Sequence, residues 1–193
     1  MFRIAIFASG AGSNAAEIIR FFNGDPEKMT FAKVTLLVCN RPKAGVLQHA
    51  LEANIPSLMI DKKTSQNPSL LLQELHKKEI DFIVLAGFLW KIPPEICAAF
   101  PNKILNIHPS LLPKYGGKGM YGAHVHAAVL ANAEKKSGIT IHLVNERYDE
   151  GQIIKQVTCD VLADDTIDSL SKRIQAIELA TYKEVIFSFL TKL

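Results

Sequence analysis

Residues 2–8, Phe-Arg-Ile-Ala-Ile-Phe-Ala, form an almost unbroken apolar run, and similar runs recur at 34–39, 57–60, 81–86 and 103–107. Apolar runs that do not alternate with polar residues suit strands of a parallel sheet buried on both faces. Between them the pattern predicts helices over 13–22, 44–53, 68–78 and 93–100, the last opened by prolines. Repeated strand–helix units of this length call for right-handed crossovers. They imply an α/β fold, doubly wound, with a mostly parallel sheet and helices on both faces.

Past residue 107 the rhythm changes. A long loop rich in glycine and proline, 108–121, leads to a predicted helix over 122–133. Two further strands are predicted at 138–144 and 152–161, joined by a polar, hairpin-like linker at 145–151. A last helix, 166–190, sets Ile167, Leu170, Ile174 and Ile177 at helical spacing, which predicts a packed face. With no internal repeat and no low-complexity linker, the 193 residues read as one domain in two unequal halves, 1–107 and 108–193.

Composition narrows the function classes. Hydrophobic content of 48% with 21% charged residues is that of a globular protein with a core of its own. The net charge of +3 is mild and its lysines are scattered, which fits a small anionic ligand better than a nucleic acid. Cys39, Cys97 and Cys159 are far apart and lack a C-x-x-C, so neither a disulfide framework nor a cysteine metal site is expected. No signal peptide and no membrane-spanning run is read at either end, and a cytoplasmic protein is the expectation.

In doubly wound sheets, ligands bind beyond the carboxyl ends of the strands. Three such ends carry chemistry. The first is Ser9-Gly10-Ala11-Gly12-Ser13-Asn14, where glycines let the backbone approach a phosphate and a helix N-terminus offers unpaired N–H groups. With Ala15 it also satisfies the looser dinucleotide pattern of a Rossmann-type half, although no acidic residue closes the second strand. Arg41 could serve a 2′-phosphate there, and a plain capped turn without ligand is the third reading.

The second end is Asn106-Ile107-His108-Pro109. Residues two apart on a strand share a face, so an amide donor and an imidazole can point into one space and hold a developing oxyanion. A histidine merely hydrogen-bonded at a strand end is the competing reading. The third is Asp149 in the polar linker. If it approaches His108 it favours the imidazolium and raises the histidine pKa; otherwise it is a turn aspartate. A zinc site from His108, His124, His126 and Asp149 stays open too, without H-E-x-x-H or cysteine spacing in its favour.

Taken in order, Gly12-Ser13-Asn14, Leu85-Ala86-Gly87-Phe88, the segment from Asn106 to Tyr115 and Asp149-Glu150-Gly151 resemble the phosphoribosylglycinamide formyltransferase family over essentially the whole chain. The Asn-x-His-Pro segment is common to enzymes that use 10-formyltetrahydrofolate; Gly12-Ser13-Asn14 and the short chain point to the purine branch. The resemblance implies a formyltransferase-like fold with a nucleotide-binding half, 1–107, and a folate-site and lid half, 108–193. It implies transfer of a formyl group from 10-formyltetrahydrofolate, the co-substrate, to the amine of 5′-phosphoribosylglycinamide, without a metal. Asn106, His108 and Asp149 then match the catalytic trio, and Gly12, Ser13 and Asn14 match the phosphate loop. Gln175 and Glu178 match contacts to the ribonucleotide, whereas Leu89, Trp90, Lys91 and Ile92, with Asn106, match the folate side. The implied partners are these two small molecules, with no nucleic acid and no membrane, and a homodimer stays open.

Glu178 and Trp90 also have plain readings, as a solvated helix-face carboxylate and as packing. The chain departs from the resemblance at three places. Gly116 to Gly122 forms an insertion before His124-Val125-His126, Trp90-Lys91 replaces a pair that commonly includes arginine, and Gln152 stands at a common proline. The rival activities are 10-formyltetrahydrofolate hydrolysis, whose enzymes carry an added N-terminal regulatory domain not expected here, another formyltetrahydrofolate-dependent transfer, and a non-catalytic nucleotide-binding module.

Overall fold

The computed structural model describes the backbone of residues 1–193 and the side chains of all except residues 65 and 66. Strands β1 (Phe2–Ala8), β2 (Ala32–Cys39), β3 (Ser57–Met59), β4 (Phe82–Leu85), β5 (Ile104–His108), β6 (Lys136–Leu143) and β7 (Ile153–Asp160) form one sheet in the order β3-β2-β1-β4-β5-β6-β7. The β1–β2, β1–β4 and β2–β3 pairs are parallel, whereas β6 and β7 are antiparallel. Helices α1 (Ser13–Asn23), α2 (Pro26–Phe31), α3 (Val46–Glu52), α4 (Lys62–Gln66), α5 (Pro68–Lys77), α6 (Pro94–Ala99), α7 (Ala123–Ala131) and α8 (Ile167–Leu190) connect the strands. The chain divides into two compact units, Met1–Leu105 and Asn106–Leu193.

In the first unit, Ile4 to Ala8 of β1 and Phe82 to Val84 of β4 are wholly buried. That is why these segments are apolar at every position: a central parallel strand is covered on both faces. The chain winds outward from β1 through β2 to β3, then returns to place β4 on the other side of β1. The ends of β1 and β4 therefore flank the point where strand order reverses, the place where open α/β sheets take ligands. Helix α1 buries Ala15, Ile18, Ile19 and Phe22, one face of a helix, and stops at Gly24. Helices α2 and α4 were not anticipated from the pattern because each is under two turns, too short for a period to register. Their caps are nevertheless in the sequence: Asp25 accepts from the N–H groups of Glu27 and Lys28, and Asp61 from Thr64.

In the second unit, β6 is buried from Ser137 to Leu143, while β7 at the sheet edge is mostly exposed. Helix α8 packs on β6 and α7. It starts with a capping box between Thr166 and Ser169, backed by Asp165, which receives the Arg173 guanidinium at 2.7 and 2.9 Å. The predicted α8 stripe is corrected at its two ends. Leu170 and Ile174 are buried, as are Tyr182, Val185, Ile186 and Leu190, but Ile167, the first residue of the helix, is exposed and Ile177 is only half-buried.

Candidate active site

The strand end Asn106-Ile107-His108 belongs to the second unit, and a neighbouring strand completes it. Asn106 Nδ2 lies 3.1 Å from His142 Nε2 on β6, and His142 Nδ1 lies 2.8 Å from the Leu143 carbonyl oxygen. A carbonyl only accepts, so His142 Nδ1 donates to it, and with the ring neutral Nε2 accepts from the Asn106 amide. That fixes the amide's orientation and leaves Asn106 a second N–H to donate.

His108 is buried, and its Nε2 donates to the Tyr115 carbonyl oxygen at 2.7 Å. Its Nδ1 faces Asp149 Oδ2 at 3.6 Å, too long for a hydrogen bond but close enough for strong electrostatics. Asp149 Oδ1 lies equally far from His142 Nε2, and Oδ2 accepts from the Gly117 N–H at 2.8 Å. Asp149 itself sits at a φ of 56°, a conformation uncommon for residues other than glycine, asparagine and aspartate. Asn106, His108, His142 and Asp149 thus form one polar cluster in a buried setting.

Burial pushes the His108 pKa below the ordinary histidine value of 6.5; the Asp149 carboxylate and the Tyr115 carbonyl oppose the shift without reversing it, and His142 adds to it. This corrects the expectation that Asp149 holds His108 cationic. The carboxylate does favour the imidazolium, but the loss of water around the ring outweighs it. For Asp149, burial works toward a higher pKa, yet His142, His108 and the Gly117 N–H together keep the carboxyl below the usual carboxylate range. The resting pair at neutral pH is therefore a neutral imidazole beside a carboxylate, suited to a base that gains a proton during the reaction.

His126, predicted as a possible metal ligand, is buried instead, and its Nδ1 has no hydrogen-bond partner among the described residues. Burial, then the nearness of His108, lowers its pKa. Both histidines are thus depressed in the folded state, so their contribution to stability is full above the unfolded value near 6.5 and is lost as pH falls through the folded values. Thermal unfolding is expected at a lower temperature at about pH 5 than at about pH 7, with a shallower dependence in His126→Gln. An unchanged slope in that variant would contradict the assignment. His124 is exposed, and no group of three or more His, Cys, Asp or Glu among the described residues is arranged to hold a metal ion.

The remaining predicted residues lie elsewhere. Gly12 is the N-cap of α1 at a φ of 87°, and a Cβ there would come within 2.6 Å of Val46. Glycine is required because the loop both turns left-handed and packs on α3. Ser13 and Asn14, half-buried, occupy the first turn of α1. On the β4–α6 connection Leu89 and Trp90 are half-buried, Lys91 is exposed and Ile92 is buried. The Trp90 ring stands edge-on to Phe88, which in turn packs on Phe7, so part of its surface belongs to packing. Gln175 is exposed and Glu178 half-buried on α8, where Glu178 adds to the burial that raises the pKa of Tyr182.

Three residues went unassigned in the sequence. His142 was hidden in an apolar strand, although a polar residue in a fully buried run was the available signal. Ser9 is buried, and its hydroxyl accepts from the Leu89 N–H at 3.0 Å, tying the ends of β1 and β4 together. Tyr115 acts through its carbonyl, which no side-chain pattern reports.

Residues 2–186 match the family described as formyl transferase. A chloroplastic phosphoribosylglycinamide formyltransferase of Arabidopsis thaliana is 43% identical over 95% of this chain, and the chain spans 64% of that relative's length. The phosphoribosylglycinamide formyltransferase of Bacillus subtilis is 35% identical over 96% of this chain and 93% of its own. The crystal structure of the Bacillus halodurans phosphoribosylglycinamide formyltransferase aligns with a TM-score of 0.87 at 35% identity, covering 98% of this chain and 96% of that one. With His108 and His142 buried beside Asn106 and Asp149 and a family match along nearly its whole length, the chain belongs to the formyl transferase family.

Proposed function

We propose that the protein transfers a formyl group from 10-formyltetrahydrofolate to the amine of 5′-phosphoribosylglycinamide. The observation that carries this reading is the cluster of Asn106, His108, His142 and Asp149, with one amide N–H and one imidazole nitrogen left for a substrate. The similarity to relatives named for this activity supports it.

In the reaction the glycinamide nitrogen bonds to the formyl carbon and the carbonyl electrons move onto oxygen, giving a tetrahedral intermediate. Neutral His108 accepts a proton shed by the attacking nitrogen at Nδ1, since Nε2 is engaged with Tyr115. The imidazolium so formed lies beside Asp149, which stabilises it. With the free Asn106 N–H it also stabilises the oxyanion. As the carbon–N10 bond breaks, the proton passes to N10 and His108 returns to its neutral form. Gly12, Ser13 and Asn14 would hold the ribonucleotide phosphate, with Gln175 and Glu178 on its ribose and glycinamide, while Leu89 to Ile92 would serve the pterin.

Hydrolysis of the same formyl donor uses similar groups with water as acceptor. Incubating the protein with 10-formyltetrahydrofolate alone separates the two: the proposal predicts negligible formate until the ribonucleotide is added, and rapid formate release without it would favour the hydrolase. Turnover is expected to survive chelators, which a zinc hydrolase would not. Ser13→Ala and Asn14→Ala are expected to weaken ribonucleotide binding by roughly 1.5–3 kcal/mol each, the range for hydrogen bonds to charged groups, with turnover at saturation little changed. Titration calorimetry checks this. Normal ribonucleotide binding with loss of NADP binding would favour the dinucleotide reading.

A further inference from the structure

The stretch Tyr115-Gly116-Gly117, where the inserted loop begins, meets both His108 and Asp149 through its backbone. The Tyr115 carbonyl accepts from His108 Nε2 at 2.7 Å, and two residues later the Gly117 N–H donates to Asp149 Oδ2 at 2.8 Å. Tyr115 has a φ of 56°, a conformation that a bulky side chain keeps only when its surroundings enforce it.

The enforcing contact is remote from the reacting groups. The Tyr115 hydroxyl donates to Glu134 Oε1 at 2.9 Å, and Lys114 Nζ donates to the same oxygen at 2.8 Å. Glu134 follows α7 at the turn into β6, so it ties the loop to a fixed part of the second unit. Lys114, then Tyr115, hold its carboxyl below the usual range, so that it is an ionised acceptor at neutral pH.

We propose that Glu134 is a positioning residue for the transfer reaction: through the Tyr115 hydroxyl it fixes the carbonyl that keeps the His108 proton on Nε2 and leaves Nδ1 open toward Asp149. A neutral imidazole has one N–H and one lone pair, and which nitrogen bears which is set by the partners of each. His108 has the Tyr115 carbonyl on one side and the Asp149 carboxylate on the other, with His142 and His126 as its titratable neighbours. Two acceptors compete for a single proton. Loosening the carbonyl lets the proton move to Nδ1, where it faces Asp149 and blocks the nitrogen needed as base.

The inference rests on the formyl-transfer reading, and two readouts keep their failures apart. Imidazole nitrogen NMR without substrate reports the His108 tautomer whatever the reaction, whereas wild-type turnover tests the reading itself. Three variants suffice: Tyr115→Phe, Glu134→Ala and Glu134→Gln, whose amide oxygen still accepts from the hydroxyl. The wild type is expected to show the Nε2–H tautomer. Tyr115→Phe and Glu134→Ala should show a new Nδ1–H population and lose about tenfold in kcat, on the scale of one hydrogen bond, with the KM for ribonucleotide unchanged. Glu134→Gln should retain the wild-type tautomer and most of the turnover. The same tautomer in all four proteins, a wild-type Nδ1–H form, or full kcat in Tyr115→Phe and Glu134→Ala would overturn it.

Discussion

His108→Ala is expected to lose about a hundredfold to ten-thousandfold in turnover while binding the ribonucleotide nearly as the wild type does. The His108 imidazole is a group whose ordinary pKa lets it take and return a proton near neutral pH, and its Nδ1 is open, whereas the second imidazole of the cluster, His142, has its ring nitrogens on Leu143 and Asn106. The loop proposed to hold the phosphate lies at a separate strand end, Ser9 to Asn14, and the substitution leaves it untouched. Asp149→Asn should lower turnover less, because the neutral base survives it. It should also move the acid limb of the pH–rate profile. Removing the carboxylate removes an influence that raises the His108 pKa, so a value already below 6.5 falls further and the limb shifts to lower pH. The double variant should be little worse than His108→Ala alone, since residues that act as a unit are strongly non-additive. A folded His108→Ala protein with near-normal turnover, or fully additive losses, would sink the assignment.

Gly151→Ala is the second change with a large expected effect, and it acts through the backbone. A Cβ at Gly151 would lie 1.7 Å from the Leu143 carbonyl oxygen. That oxygen accepts from His142 Nδ1, and the Leu143 N–H closes the hairpin on the Gln152 carbonyl at 2.9 Å. One methyl group therefore forces the end of β6 away from the turn that carries Asp149. Overpacking against rigid backbone typically costs about 1–3 kcal/mol, or roughly 2–4 °C in unfolding temperature per kcal/mol for a chain of this size. His142 loses its anchor at the same time, and the Asn106 amide loses the partner that orients it, so turnover should fall by about a hundredfold or more, the effect of one lost oxyanion donor. Thermal unfolding and initial rates measured on one preparation check both parts. Wild-type rates in a folded Gly151→Ala protein would show that the His142–Leu143 contact does not matter to the reaction.

The strand–helix alternation was legible because buried parallel strands must be apolar throughout and amphipathic helices must not be. Caps such as Asp25 and Asp61 were equally present in the sequence, yet α2 and α4 are too short for periodicity to single them out. At the strand ends the Asn106–His108 spacing carried a reading on its own, since two-residue steps share a face. The approach of Asp149 was conditional, because nothing local says that a polar linker folds back onto β5. The sign of the His108 shift comes out the wrong way round when read from the carboxylate alone: it depends on a competition between burial and a neighbouring charge, and burial is a property of the whole packed unit. Backbone partners are the hardest to foresee. The Tyr115 carbonyl and the Gly117 N–H are chemically the same in any residue that can take the conformation, so only the folded chain reveals them.

The most direct measurement incubates the purified protein with 10-formyltetrahydrofolate and 5′-phosphoribosylglycinamide and follows both products. The account predicts tetrahydrofolate and a ribonucleotide one formyl group heavier, formed in equal amounts and both nearly abolished in His108→Ala. Tetrahydrofolate appearing with free formate and an unmodified ribonucleotide would contradict it.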